Sequence, residues 1–153
     1  MLSTQQNPRV LVQNNANLSH TGDLLETTIL TYKMPANTMK AQSSLGINVR
    51  VQKDTIAGTI MNIKMGGTVI FTSNIASFFR QLETLQLTID NQNSQQIQQV
   101  FIATLYSTVG QSVIDPVNYA VDTSKDLDIT FSFQLDNAGG TAILRNFRIM
   151  LYD

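Results

Sequence analysis

The stretch "DLDITFSFQL", residues 126–135, decides the fold class of this chain. Apolar side chains occupy every second position from Leu127 to Leu135, and polar side chains occupy the positions between them. Successive side chains of a β-strand point to opposite faces of its sheet. The stretch therefore predicts a strand with one buried face and one wetter face.

The same alternation recurs along the chain. It is clear in four further segments, 45–52, 61–65, 84–89 and 146–151. Three weaker strand candidates lie between them: 23–34, which is threonine-rich with both faces partly apolar, 68–72, which is short, and 100–106, which is apolar on both faces. Turn-forming residues separate them at 35–37, 54–58, 66–67, 91–94, 110–116 and 136–140. About eight short strands in one chain predict an all-β fold, an antiparallel two-sheet β-sandwich of jelly-roll type.

Three local motifs carry their own predictions. "MGGT" at 65–68 predicts a tight hairpin, and "DNAGG" at 136–140 predicts a longer one. The segment "SNIASFFRQLE", residues 73–83, predicts a short helix capped by Ser73.

The N-terminal residues 1–18 are rich in Asn and Gln and predict an extended arm, followed by a jelly-roll domain over residues 19–153. Only Val10–Val12 favours a short strand within the arm. Two interpretations stay open here: a frayed terminus, or an arm that becomes ordered against a neighbouring subunit.

Composition narrows the class of partner. Charged residues make up only 14% of the chain, well below the usual quarter, and uncharged amides and hydroxyls take their place. Such a surface suits contact with other protein surfaces or with sugars better than contact with nucleic acid. The net charge of −1, with basic residues scattered, argues against nucleic acid as a partner.

No apolar run approaches ~18 residues and no signal peptide is visible, so we expect no membrane span and synthesis in a cytoplasm.

Residues with catalytic chemistry are few. The absence of cysteine excludes disulfides, thiolate metal sites and cysteine nucleophiles. The one histidine, His20, lies in "HTGD", which we interpret locally: Gly22 permits positive φ, and Asp23 or Thr21 can bond nearby backbone amides. His20 is then a solvated or hydrogen-bonded loop residue.

The acidic residues offer one cluster, Asp122, Asp126 and Asp128, at a spacing that Ca²⁺ can use. The cluster lacks the central glycine of a calcium loop and contains Lys125, so we interpret it as a solvated loop. No pair of carboxylates stands out as a glycosidase pair. We therefore predict no enzymatic activity, no cofactor and no metal.

The order of four segments carries a resemblance. They are "SHTGDLLETTILTYKMPANTM", "LGINVRVQKD", "NIKMGGTVIFTSNIAS" and "DLDITFSFQLDNAGGTAILRNFRIMLY". This series, spanning about residues 18–153, resembles small jelly-roll domains in virion proteins of tailed bacteriophages. The resemblance implies no catalytic residues.

The resemblance implies a structural virion protein, and such domains have two known roles. One is a capsid decoration or cement protein that binds the major capsid protein, often as a homotrimer. The other is a tail-fibre or receptor-binding head that recognises host glycans, with polar loops at 91–96 and 111–119 lining a groove. The lack of a fibrous shaft favours decoration.

Interface residues follow from these roles. In the arm, Arg9, Val10, Leu11 and Val12 are expected to contact the capsid or a neighbouring subunit. Val100, Ile102 and Tyr106 lie on a strand that is apolar on both faces, which suits burial in a homotrimer. Tyr119 is expected at a surface contact, where tyrosine stacks on protein or sugar.

Overall fold

In the computed structural model, described over residues 8–54, 56–75, 81–105 and 116–153, the chain forms two antiparallel sheets that pack face to face. No helix occurs within these ranges. The strands are β1 (Arg9–Asn14), β2 (Leu18–Thr21), β3 (Thr27–Met34), β4 (Ser44–Lys53), β5 (Thr59–Met65), β6 (Thr68–Ile75), β7 (Gln81–Asn91), β8 (Gln98–Leu105), β9 (Val117–Tyr119), β10 (Leu127–Leu135) and β11 (Thr141–Tyr152). The predicted all-β sandwich is confirmed.

The strand order is that of a jelly roll. The seven-stranded sheet runs β1-β11-β4-β7-β8-β9, with β2 also paired to β11, and the four-stranded sheet runs β3-β10-β5-β6. Four pairs are nested along the chain: β5 with β6, β4 with β7, β3 with β10, and β2 with β11. A long hairpin folded over on itself gives this nesting, and β8 and β9 extend one sheet beyond it.

The described residues form eleven strands, where about eight were predicted. The additional ones, β1, β2 and β9, have three to six residues. β1 contains the short strand that the sequence favours at Val10–Val12. β2 and β9 show no sustained alternation, so only their pairing with longer strands identifies them.

Two local predictions are wrong. Residues 73–75 end β6 and residues 81–83 begin β7, so these parts of the predicted helix are strands, and residues 76–80 lie outside the described ranges. Pairing with β5 and β4 outweighs the local helical pattern there. Residues 136–140 form no hairpin, because β10 and β11 belong to different sheets and the segment crosses between them.

The hairpin predicted at "MGGT" is confirmed. Met65 pairs with Thr68, and the two glycines between them have φ values of 57° and 82°. A two-residue turn of this kind needs positive φ at both central positions, which glycine adopts without strain.

The core lies between the inner faces of the sheets. The ring of Phe131 contacts Phe133 on the same strand at a centroid distance of 5.1 Å, edge to face. It also contacts Phe147 on β11 of the opposite sheet at 6.1 Å. Phe131 therefore joins the two layers through one aromatic cluster.

Residues 9–14 of the predicted arm form β1, which pairs with β11 of the same chain. The pairing contains a bulge at Leu11, since Val10 lies opposite Met150 and Val12 opposite Ile149. The division into an arm over 1–18 and a domain over 19–153 stays a prediction.

Candidate interaction surface

Three loops meet at one end of the sandwich, and we call their described residues, 22–26, 54, 56–58 and 136–140, the loop end. Strand pairing brings them together. Thr21, the last residue of β2, lies opposite Thr141, the first of β11, and the last residue of β4, Lys53, lies opposite Ala142. At the neighbouring sheet, Leu135 at the end of β10 lies opposite Thr59 at the start of β5.

The loop end exposes large apolar side chains. Leu25 is 71% exposed, Ile56 is 53% exposed and Leu24 is 49% exposed. Apolar side chains grouped at one surface mark a site of contact with another molecule more often than single exposed ones do. Leu24 and Leu25 fall within the strand predicted over 23–34, but β3 begins at Thr27, so the two leucines lie in the loop before it.

The leucine loop has a defined conformation. Gly22 has a φ of 77°, and the backbone N–H of Leu25 donates a hydrogen bond to Asp23 Oδ1 at 2.8 Å. Thr27 Oγ1 lies 3.4 Å from the carbonyl oxygen of Leu25 and donates to it. The predictions for Gly22 and Asp23 are confirmed, and these contacts hold the two leucines away from the core.

Glu26 anchors the same loop to the outer face of the four-stranded sheet. Its Oε1 atom lies 2.8 Å from Lys64 Nζ and accepts hydrogen bonds from Ser132 Oγ at 2.5 Å and Asn62 Nδ2 at 3.0 Å. Hydrogen bonds from Lys64 and Ser132 lower the pKa of the Glu26 carboxyl to about 2. Glu26 is therefore ionised at neutral pH and fixes the position of its neighbour Leu25.

The second and third loops are joined by carboxylates. Asp54 Oδ1 accepts a hydrogen bond from the N–H of Ile56 at 2.9 Å. Asp136 Oδ1 accepts one from the N–H of Gly58 at 2.6 Å, and Gly58 in turn accepts one from Asp136 N at 3.1 Å. The buried ammonium of Lys53 donates to the carbonyl oxygens of Asp54 and Ala57. Polar contacts thus shape all three loops beneath the exposed apolar side chains.

His20 lies beneath this end. It is on β2 opposite Ala142 and is 6% exposed, so the expected solvated loop position is wrong. Its Nε2 atom is buried without a hydrogen-bond partner among the described residues. The short strand β2 buries the ring by pairing with β11, and no local pattern indicates that pairing.

Within the described ranges, no three His, Asp or Glu side chains are grouped as a metal site.

The predicted interface residues fall at opposite edges of the seven-stranded sheet. Arg9 and Val10 are exposed on β1 at one edge, and Leu11 and Val12 pack partly against the core. At the other edge, Val100 is 5% exposed, and Ile102 and Tyr119 are half-buried. Tyr106 lies outside the described residues. Their use as an interface stays a prediction.

Three of these residues line an apolar cleft. Val100, Ile102 and Tyr119 face Ile70 and Phe71 of the other sheet across a space of about 150 Å³. A bulge in β6 turns Ile70 and Phe71 inward together, because Ile63 lies opposite Phe71 while Lys64 lies opposite Val69. The bulge interrupts the period-two pattern, so the sequence did not indicate this cleft.

Two residues of the polar loop predicted at 91–96 to line a glycan groove, Asn91 and Gln95, make internal side-chain contacts. Asn91 Nδ2 donates to Thr123 Oγ1 at 3.0 Å and to the Lys40 carbonyl at 2.7 Å. Gln98 Nε2 donates to Asn91 Oδ1 at 3.0 Å, and Gln98 Oε1 accepts from Val121 N at 2.8 Å. These amides join three loops at the end opposite the loop end. Residues 111–115 of the other predicted loop lie outside the described ranges.

The three aspartates of the predicted solvated loop do not share a common partner, and each has its own surroundings. Asp122 accepts hydrogen bonds from Ser124 and lies 3.1 Å from Lys125 Nζ, contacts that lower the pKa of its carboxyl. Asp126 Oδ1 accepts from the N–H of Ala36 at 2.7 Å. Asp128 is exposed on β10. The loop therefore has structural contacts of its own.

Similar solved structures include three of different origin. The structure of infectious bursal disease virus, Gt strain, matches 95% of this chain and 33% of that chain at 12% identity and a TM-score of 0.45. The CBM2 module of the evolved Dit of Lactobacillus casei BL23 phage J-1 matches 78% of this chain and 67% of that one at 9% identity and 0.37. The binding domain of botulinum neurotoxin serotype D/C matches 96% and 44% at 13% identity and 0.42.

The chain spans about one third of the infectious bursal disease virus chain that it matches. TM-scores below 0.5 at such identities establish no common function. No protein-family model and no curated protein sequence matches the chain.

Among the described residues, no helix has the length and apolar character needed to cross a membrane.

Proposed function

We propose that this protein is a non-enzymatic structural component of a tailed-phage virion that attaches to the capsid surface as a decoration or cement protein. The sequence resemblance suggests this role, and the loop end is the observation that carries it. Exposed Leu24, Leu25 and Ile56 occupy loops whose backbones are held by Asp23, Glu26 and Asp54. A preorganised apolar surface of this kind suits binding, since little conformational freedom is lost on contact.

Attachment would be weak for each copy and strong for the assembly. Burying one leucine side chain is worth about 1.5–3 kcal/mol, so the loop end supplies a modest contact free energy. A homotrimer would present three loop ends together, and effective concentration would raise the overall affinity without new contacts. In this proposal the edges of the seven-stranded sheet, with Val10 at one and Tyr119 at the other, form the contacts between subunits.

The test is co-sedimentation with capsids of the parent phage that lack this protein. The Leu24→Ser, Leu25→Ser double variant is expected to keep the wild-type melting temperature and to lose at least tenfold in capsid binding. Ile97→Ser is the matched control, because Ile97 is 49% exposed but lies at the opposite end of the sandwich. Undiminished sedimentation of the double variant would contradict the proposal.

The oligomeric state is tested separately by light scattering. A trimer mass is expected, at about three times the 17.0 kDa of one chain. A strict monomer that also fails to sediment with capsids would overturn the decoration role.

The second candidate function is a receptor-binding head for host glycans, favoured by the amide-rich outer face of the seven-stranded sheet. That role predicts binding of the isolated protein to host cells. Host-cell binding without any capsid binding would favour this role over decoration.

A further inference from the structure

A polar groove runs across the outer face of the seven-stranded sheet, away from the loop end residues. It has a volume of about 240 Å³, and its polar walls include Gln13, Asn48, Arg50, Gln86, Asn146 and Arg148. Strand register brings these residues together from four strands. Arg148 of β11 lies between Gln13 of β1 and Asn48 of β4, and Asn48 lies opposite Gln86 of β7.

The groove contains two arginines on adjacent strands. Arg50 lies opposite Asn146, two residues from Arg148, so the arginines are diagonal neighbours on one face. Such neighbours have Cβ atoms about 7 Å apart, within reach of long side chains. Their side chains can therefore meet at one ligand group.

Neither arginine has an acidic partner in the described parts of the chain. The ion pairs found there join Lys64 to Glu26 and Lys125 to Asp122. Arg148 Nε is buried without a hydrogen-bond partner among these residues. On the same face, Asp90 lies opposite Ser44, four residues along β4 from Asn48, which is about 13 Å at the rise of a strand.

Two adjacent cations without a counterion are unfavourable, and so is a buried donor without an acceptor. A bound anion removes both penalties. Guanidinium groups present paired N–H donors that match a carboxylate, so this pair suits a carboxylate better than a neutral group.

We infer that this groove binds a carboxylate-bearing sugar, such as a uronic or sialic acid residue of a surface polysaccharide. Arg50 and Arg148 hold the carboxylate, and the side-chain amides bind the hydroxyls, because an amide has two N–H donors and one acceptor. Gln13 and Asn146 each donate one N–H to Asn15 and keep the second. Sites for drug-sized ligands have volumes of about 300–1,000 Å³. The groove is smaller than these sites, and its volume fits a single sugar residue. The inference rests on the groove alone and does not depend on capsid attachment.

The experiment is a titration followed by NMR chemical shifts, with glucuronic acid, N-acetylneuraminic acid, glucose, N-acetylglucosamine and inorganic phosphate as separate probes. We expect saturable binding of at least one acidic sugar, and at least tenfold weaker binding of both neutral sugars. Phosphate is expected to bind more weakly than the acidic sugar, because it cannot use the amide side chains in the same way. Equal binding of phosphate and acidic sugars would overturn the assignment to a sugar.

Variants locate the site. Arg50→Gln and Arg148→Gln are each expected to weaken acidic-sugar binding at least tenfold while keeping the wild-type melting temperature. Lys33→Gln, which removes one positive charge from a strand of the other sheet, is the matched control and is expected to leave binding unchanged. Binding that survives both arginine substitutions, or no binding of any acidic sugar to the wild type, would refute the inference whatever the outcome of the capsid experiment.

Discussion

Glu26 and Lys64 form an ion pair, with Oε1 and Nζ 2.8 Å apart, that joins the leucine loop to the outer face of the four-stranded sheet. Ser132 and Asn62 donate to the same carboxylate oxygen. One carboxylate therefore connects the fold of the sandwich to the shape of its candidate contact surface.

The first prediction concerns Glu26 and pH. Because its pKa is lowered from 4.5 to about 2, the ionised carboxylate stabilises the fold fully above pH 4.5, and this contribution is lost as pH falls towards 2. Glu26→Gln is expected to cost about 1 kcal/mol at pH 7, a value reduced for its partial exposure. Urea unfolding at pH 7, 4 and 2.5 measures this cost, which should shrink as pH falls. Asp128→Asn, on the same sheet, is the control, and an equal pH dependence in both variants would contradict the assignment.

The second prediction separates two adjacent glycines in the crossover loop. A Cβ on Gly140 would lie 2.1 Å from the Cβ of Ala57, whereas a Cβ on Gly139 would make ordinary contacts. Gly140→Ala is therefore expected to destabilise the fold by about 1–3 kcal/mol or more, and Gly139→Ala to stay within about 0.5 kcal/mol of the wild type. Thermal unfolding measured by circular dichroism distinguishes the two, and similar melting temperatures would argue against this close approach.

The third prediction concerns the aromatic cluster. Phe131 is fully buried and contacts rings from both sheets, so Phe131→Ala leaves a cavity at the interface of the layers. The expected loss is about 3–5 kcal/mol in the free energy of unfolding. Phe131→Leu, which keeps most of the volume, is expected to lose much less. Equal losses in denaturant titrations would show that cavity formation does not set the cost.

The fourth prediction concerns the buried amide network. Gln98→Ala removes the acceptor for Val121 N and the donor to Asn91 Oδ1. Leaving buried polar groups unsatisfied costs about 1–3 kcal/mol, and the loss should be local to the loops that the network joins. Hydrogen exchange should show faster exchange of the Val121 and Thr123 amides, with the β10 amides unchanged. Gln96→Ala, at an exposed neighbouring position, is the control.

Sequence patterns predicted the strands well where alternation is long. The segment at 127–135 is a strand with Ile129, Phe131 and Phe133 buried, as its pattern indicates. The tight turn at Gly66 and Gly67 was also predictable, since positive φ is a local requirement. The helix expected over 73–83 is wrong at both of its described ends, because residues 73–75 pair with β5 and residues 81–83 pair with β4.

The candidate site was predictable only in its smallest parts. The roles of Gly22 and Asp23 depend on neighbours within two or three residues, and both were identified. The apolar loop end was not identified, because Leu25 and Ile56 are far apart in the sequence and their loops come to one end of the sandwich only through strand pairing. The groove that contains Arg50 and Arg148 could not be predicted for the same reason, because its residues come from strands that are distant in the sequence.

The sequence by itself determined that this protein is an all-β sandwich, because the alternation of apolar and polar side chains is set by neighbouring residues and has one physical solution. The tertiary structure alone decided which strands pair, that His20 is buried, and which exposed side chains share a surface. Those outcomes depend on contacts between residues that are distant along the chain, and no local pattern encodes such contacts.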